Sequence, residues 1–257
     1  MHYQSPDDSG MIAQQPTSDW RDEQWVWGYG LFVNTLQYAC LRLYGEHDQA
    51  DALKALINRA NFRTKTDSIH IHEGLALPDE PYYALWVFKI HVSKRFDLLG
   101  NSLAILFGLA DQARAEKIID WVEANCEQLR MHGELTSHLP PCLFPYIKPS
   151  DEDWMPRYEL YGQPGKYHNG GIWPFIAGFY VAALVAAGKQ TLAEEKLDEL
   201  TAMVRSARTD GLAYGFNEWF CAQDNQPYGQ DWQTWSAAMY LYAVKCVEER
   251  RAVFFWE

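Results

Sequence analysis

Residues Tyr167-His168-Asn169-Gly170-Gly171-Ile172-Trp173-Pro174 gather a titratable imidazole, a carboxamide and an indole into one short stretch. Gly170 and Gly171 let the backbone turn tightly and approach a ligand where a side chain would clash. Two readings of this stretch stand side by side: a polar, aromatic site loop, or a loop whose Tyr and Trp cap a core. Carboxylates supply the other chemistry. Glu218 sits in Phe216-Asn217-Glu218-Trp219-Phe220, and apolar neighbours of this kind raise the pKa of a carboxyl group. Asp22 stands among Trp20, Trp25 and Trp27, beside Arg21 and close to Asp19. Cleaving a glycosidic bond needs one protonated and one ionised carboxyl on opposite sides of a sugar. A solvated surface charge is the commoner fate of any one of the 34 acidic residues, so the clustered aromatics single these out.

The elements that would position these groups read as helices. Pro174 suits a first helical turn, and FIAGFYVAALVAAG at 175–188 is apolar enough for a buried helix. A nearly all-apolar helix followed by an amphipathic one recurs three times, over 29–62, 98–129 and 172–207. In detail, 29–45 is followed by 47–62, 101–110 by 112–129 with Asp111 as its cap, and 172–187 by 189–207; a last helix spans 231–250. Residues 63–95 are less regular and read as an excursion with a short extended pair. Residues 131–166, broken by six prolines, form a long loop, and loops of that length are usually functional. The pattern predicts an all-α stack of helical hairpins within a single domain over 1–257, with the candidate residues on loops at one end.

Composition narrows the function. A formal charge of -12 without a basic stripe argues against nucleic acid and anionic membrane as partners. The longest apolar run, within 172–187, is one helix long and follows a polar loop, which argues against a membrane span. Eleven Trp and 15 Tyr suit stacking on sugar rings, although helical cores consume such residues as well. The five cysteines are scattered, as expected of reduced thiols in the cytoplasm, and the N-terminal residues carry no apolar signal segment. His70 and His72 alternate as on one strand face but lack a third ligand at suitable spacing, so neither metal nor cofactor is expected. Nucleophilic Ser/His/Asp and nucleotide-binding motifs are not found.

Three blocks carry a family resemblance: YHNGGIWP at 167–174, FDLLGNSLAILFGLA at 96–110 and DWQTWSAAMYLYA at 231–243. They resemble the neutral/alkaline invertases and, more distantly, amylo-α-1,6-glucosidases, trehalases and mannosylglycerate-type hydrolases. The resemblance implies an (α/α)6 toroid and an Asp/Glu catalytic pair. It assigns Asp22 as the acid, with Asp19 as its rival, and Glu218 as the base or nucleophile. His168, Asn169, Trp173, Gln230, Asp231 and Gln233 fall in substrate-lining blocks, together with Asp19 and Trp20 at the first carboxylate. The implied activity is hydrolysis of sucrose or a small α-glucoside. A complete toroid has about twelve helices and this chain about seven, so the resemblance implies a C-terminal portion. Self-association or a separate N-terminal chain would then complete it. The alternative is a carbohydrate-binding or interaction module derived from such an enzyme.

Overall fold

The computed structural model describes residues 10–59 and 74–252. His70, His72 and the end of the helix expected to reach residue 62 lie outside the described residues. The chain divides into two compact units, Met1–Ile118 and Ile119–Glu257.

In the first unit, α1 (Leu31–Leu43) and α2 (His47–Ile57) form a helical hairpin. Gly45, at φ 78°, takes the left-handed conformation that turns the chain out of α1. Strand β4 (Phe96–Asp97) leads into α3 (Leu98–Leu106), all of whose residues are buried. A helix buried all round must satisfy its polar side chains internally. Asn101 does so by donating to Asp97 O at 2.9 Å and accepting from Tyr83 N at 3.0 Å. Asn34 of α1 likewise exchanges bonds with both N (2.8 Å) and O (3.0 Å) of Ile12, pinning the segment before the helix.

The extended pair expected within 63–95 is a hairpin of β2 (Trp86–Phe88) and β3 (His91–Ser93). Its turn includes Lys89 at φ 53°. β1 (Tyr29–Gly30) pairs with the other edge of β2, in register Tyr29↔Val87. Alternation along β2 buries Val87 and presents Trp86 and Phe88 to the Trp27 ring, at 5.4 and 4.8 Å. Helix α4 (Gln112–Met131) begins as the sequence predicts: the Asp111 carboxylate accepts Arg114 N at 2.8 Å.

The second unit is built on α6 (Pro174–Ala186), which packs against α7 (Gln190–Val204) and α8 (Thr234–Glu249). Pro174 opens α6, as its missing N–H allows. Gly178 permits the close α6–α8 approach, since a Cβ there would lie 2.5 Å from the Met239 carbonyl oxygen. Gly178→Val is therefore expected to cost about 1–3 kcal/mol by overpacking, visible as a lower urea midpoint. Unchanged stability would show that the two helices part freely.

The long 131–166 segment is not a solvated loop. It holds β5 (Leu143–Phe144) and the one-turn α5 (Tyr158–Tyr161), and buries Leu135, Leu139, Tyr146 and Ile147. Trp121 of α4 stacks on Phe144 at 5.4 Å. Lys196 ties three elements together, donating to Glu123 Oε2 at 2.6 Å and to the His138 carbonyl at 2.7 Å. Tyr180 donates to the other oxygen of Glu123 at 2.8 Å.

Candidate active site

The 167–174 loop is held from inside. Tyr167 takes φ 46°, uncommon for a side-chain-bearing residue, and its carbonyl accepts Gly171 N at 2.9 Å and Trp173 Nε1 at 3.1 Å. Gly170, at φ 102°, has the Tyr146 ring where a Cβ would point. Asn169 accepts Ile147 N at 2.7 Å and donates to the carbonyls of Ile147 (2.8 Å) and Gly162 (2.7 Å). His168 is stacked on Tyr167 (3.9 Å) and Trp173 (5.3 Å). His168, Asn169 and Trp173 are each 2% exposed, so the loop turns these side chains inward and they form its buried floor.

From that floor a run of rings reaches the surface. Tyr167 meets Trp219 edge-on at 5.8 Å, and Trp219 stacks on Tyr228 at 4.8 Å and 14°. On the other side Trp173 meets Trp235, which stacks on Phe175 at 4.7 Å. Tyr228 (37% exposed) and Trp235 (38%) are the open ends of the series. Rings with one face covered and one open are suited to sugar stacking.

Glu218 precedes Trp219 at the start of a short ribbon, β6 (Trp219–Phe220) paired with β7 (Pro227–Tyr228). Its backbone N donates to Gln230 O at 3.0 Å, and its carboxylate Oε2 accepts Gln230 N at 3.3 Å. Phe216 and Trp232, at φ 42° and 58°, bracket this segment with backbone that needs outside support, a feature that concentrates at functional sites. Asp231 gives that support through four protein hydrogen bonds, from Arg208 N, Thr209 N, Thr209 Oγ1 and Asn217 Nδ2. These donors hold its carboxyl below the usual range, the Thr209 hydroxyl bond having the largest part. Gln233 is the N-cap residue of α8, and its N donates to Phe216 O at 3.1 Å.

The acids of the first unit differ in kind. Asp22 is exposed. The Asp19 side chain is buried, accepting Arg21 N at 2.7 Å and Arg21 Nη1 at 3.3 Å, while Arg21 also lies 4.5 Å over the Trp20 ring. Arg21 has a second partner that sequence reading missed, the fully buried Asp97 carboxylate. Burial pushes the Asp97 carboxyl up against the opposing pull of Arg21. The available signal was a lone acid leading an otherwise apolar block, FDLLGNSLAILFG, since a buried charge must find a counter-charge. The bond from Arg208 N to Asp231 had no such signal, because it depends on a contact across a loop.

Residues 56–250 match the family described as alkaline and neutral invertase. The chain is 24% identical over 188 residues to alkaline/neutral invertase C, mitochondrial, of Arabidopsis thaliana, covering 70% of this chain and 26% of that protein. It is 29% identical over 158 residues to cytosolic invertase 1 of Oryza sativa subsp. japonica, covering 60% and 26%. The chain thus spans about a quarter of the length of the curated relatives it matches. The relatives' names place them in mitochondria, chloroplasts or the cytosol, so the family does not fix a compartment. Among described residues no helix is long and apolar enough to cross a membrane. The GH63 mannosylglycerate hydrolase of Thermus thermophilus, solved with Tris and D-glycerate, superposes with a TM-score of 0.53 at 17% identity, over 83% of this chain and 45% of that one. That likeness shows the fold, a mostly helical part of an α/α toroid. The match over 56–250 takes in all three of the blocks singled out above and every helix from α3 to α8, and the chain belongs to the alkaline and neutral invertase family of glycoside hydrolases.

Proposed function

We propose that this chain contributes to a glycosidase that hydrolyses sucrose or another small α-glucoside by a two-carboxylate, inverting displacement. The observation that carries the reading is Glu218, held by Gln230 N at 3.3 Å beside the open-faced Trp219–Tyr228 stack. An ionised carboxylate next to a sugar platform suits a general base that activates water on the far face of the ring. The resemblance assigns the acid to Asp22. That residue is exposed. Leu241 (65% exposed) and Trp235 on α8 leave apolar surface of the kind that a second copy or a separate chain would cover. The cytoplasm is the proposed compartment.

The test is a hydrolysis screen of sucrose, trehalose, isomaltose and related α-glucosides, with the product anomer followed by NMR and the association state by sedimentation on the same sample. Release of the inverted anomer from one of these sugars is expected. Sugar binding without turnover in every association state would make the chain a carbohydrate-binding module instead.

A further inference from the structure

We infer that Gly229 is a positioning residue: the turn Gly229-Gln230-Asp231 is a backbone clamp that fixes the Glu218 carboxylate, an inference that rests on reading Glu218 as the base. The clamp has three parts, one for each residue. Gly229, at φ 72°, leaves empty the space a side chain would fill, and Glu218 occupies it. A Cβ built at 229 would lie 2.5 Å from Glu218 Cβ and 3.0 Å from its carboxyl carbon, besides meeting Oε2. Gln230 then reaches Glu218 twice through its backbone, accepting from the amide (3.0 Å) and donating to Oε2 (3.3 Å).

Asp231 completes the clamp by anchoring it. Its carboxylate receives Arg208 N (2.9 Å) and Thr209 N (3.2 Å) from one flank and Asn217 Nδ2 (2.8 Å) from the residue before Glu218. Arg208 adds a bond from Nη1 to Gly229 O at 2.9 Å, so the glycine carbonyl is held as well. The Glu218 carboxylate and the Arg208 guanidinium bond to the turn, and Asp231 brings its own carboxylate to it. A carboxylate hung on a side chain with three rotatable bonds is thereby given one position by main-chain atoms, which do not change rotamer.

The fold also supplies a control. Gly211, at φ 81°, shares the left-handed conformation of Gly229 but has nothing within 4 Å of a built Cβ. Gly→Asn at either position meets the same conformational demand, and Asn tolerates left-handed φ better than most side chains. Only at 229 does the new Cβ displace Glu218. If Gly229→Ala fails to fold, Gly229→Asn is the variant that decides.

Two readouts are made on each protein. The first is the pH titration of the Gln230 amide in ¹H–¹⁵N spectra, since an amide donated to a carboxylate shifts when that group takes up a proton. Wild type and Gly211→Asn should show the shift; Gly229→Asn and Glu218→Gln should lose it. The second is kcat and KM on the best sugar from the screen. Gly229→Asn should lower kcat about 10²-fold with KM little changed, as for a misplaced reacting group, while Gly211→Asn keeps the wild-type kcat. Equal loss at both glycines, no amide response in wild type, or full kcat in Gly229→Asn would each overturn the clamp. Full turnover by Glu218→Gln would instead remove the reading of Glu218 as base, leaving the amide titration to judge the clamp alone.

Discussion

Glu218→Gln is expected to lower turnover on the preferred sugar by about 10²–10⁴-fold while leaving the melting temperature close to that of the parent chain. The two halves of this expectation have separate causes. Glutamine keeps the volume of the side chain and an oxygen that can still accept Gln230 N, so the ribbon of β6 and β7 retains its contacts. What it lacks is a charge able to take a proton from water. The measurement is steady-state hydrolysis beside a thermal melt of the same preparation. A variant that turns over at the parent rate would remove Glu218 from the chemistry, and one that fails to melt cooperatively would show a structural role instead.

Arg21→Met should be the most damaging single change to stability, about 3–5 kcal/mol at neutral pH. Arg21 is buried with two carboxylates on its guanidinium, Asp97 and, at 3.3 Å, Asp19. Removing it leaves charge in the interior without compensation. The pH dependence identifies the group responsible. Burial already raises the Asp97 carboxyl above its ordinary value despite Arg21, and losing Arg21 raises it further. A carboxyl whose folded pKa exceeds its unfolded value binds its proton more tightly when folded. Its favourable contribution is therefore complete below the unfolded value, about 3.9, and is lost as pH rises through the folded value. The deficit of Arg21→Met should shrink as the solution is acidified from pH 7 towards that range, read by urea unfolding at several pH values. Adding Asp97→Asn should recover much of the loss at neutral pH. A deficit independent of pH would place its origin in lost packing of the arginine stem.

The sequence by itself determined the helices and the family. Apolar and amphipathic runs alternate strongly enough that α1, α3, α4, α6, α7 and α8 all fall inside the ranges read from periodicity or overlap them closely, with Asp111 and Pro174 marking two starts. Burying one face is a local demand, so the spacing of apolar residues records it. The YHNGG-x-WP block and its two companions were enough to point to the invertase family.

Tertiary structure decided what each polar residue does. Asn169, a carboxamide in a promising loop, is engaged with the backbone of Ile147 and Gly162. Asp231, grouped with the substrate-lining block, holds Arg208, Thr209 and Asn217 together. Asp97 looked like part of a helix block and proved to be the buried partner of Arg21, 76 residues earlier. In each case at least one partner lies 22 or more residues away along the chain. A hydrogen bond or ion pair is set by a few ångströms in space, and neither residue type nor local spacing specifies which distant group will be there to meet it.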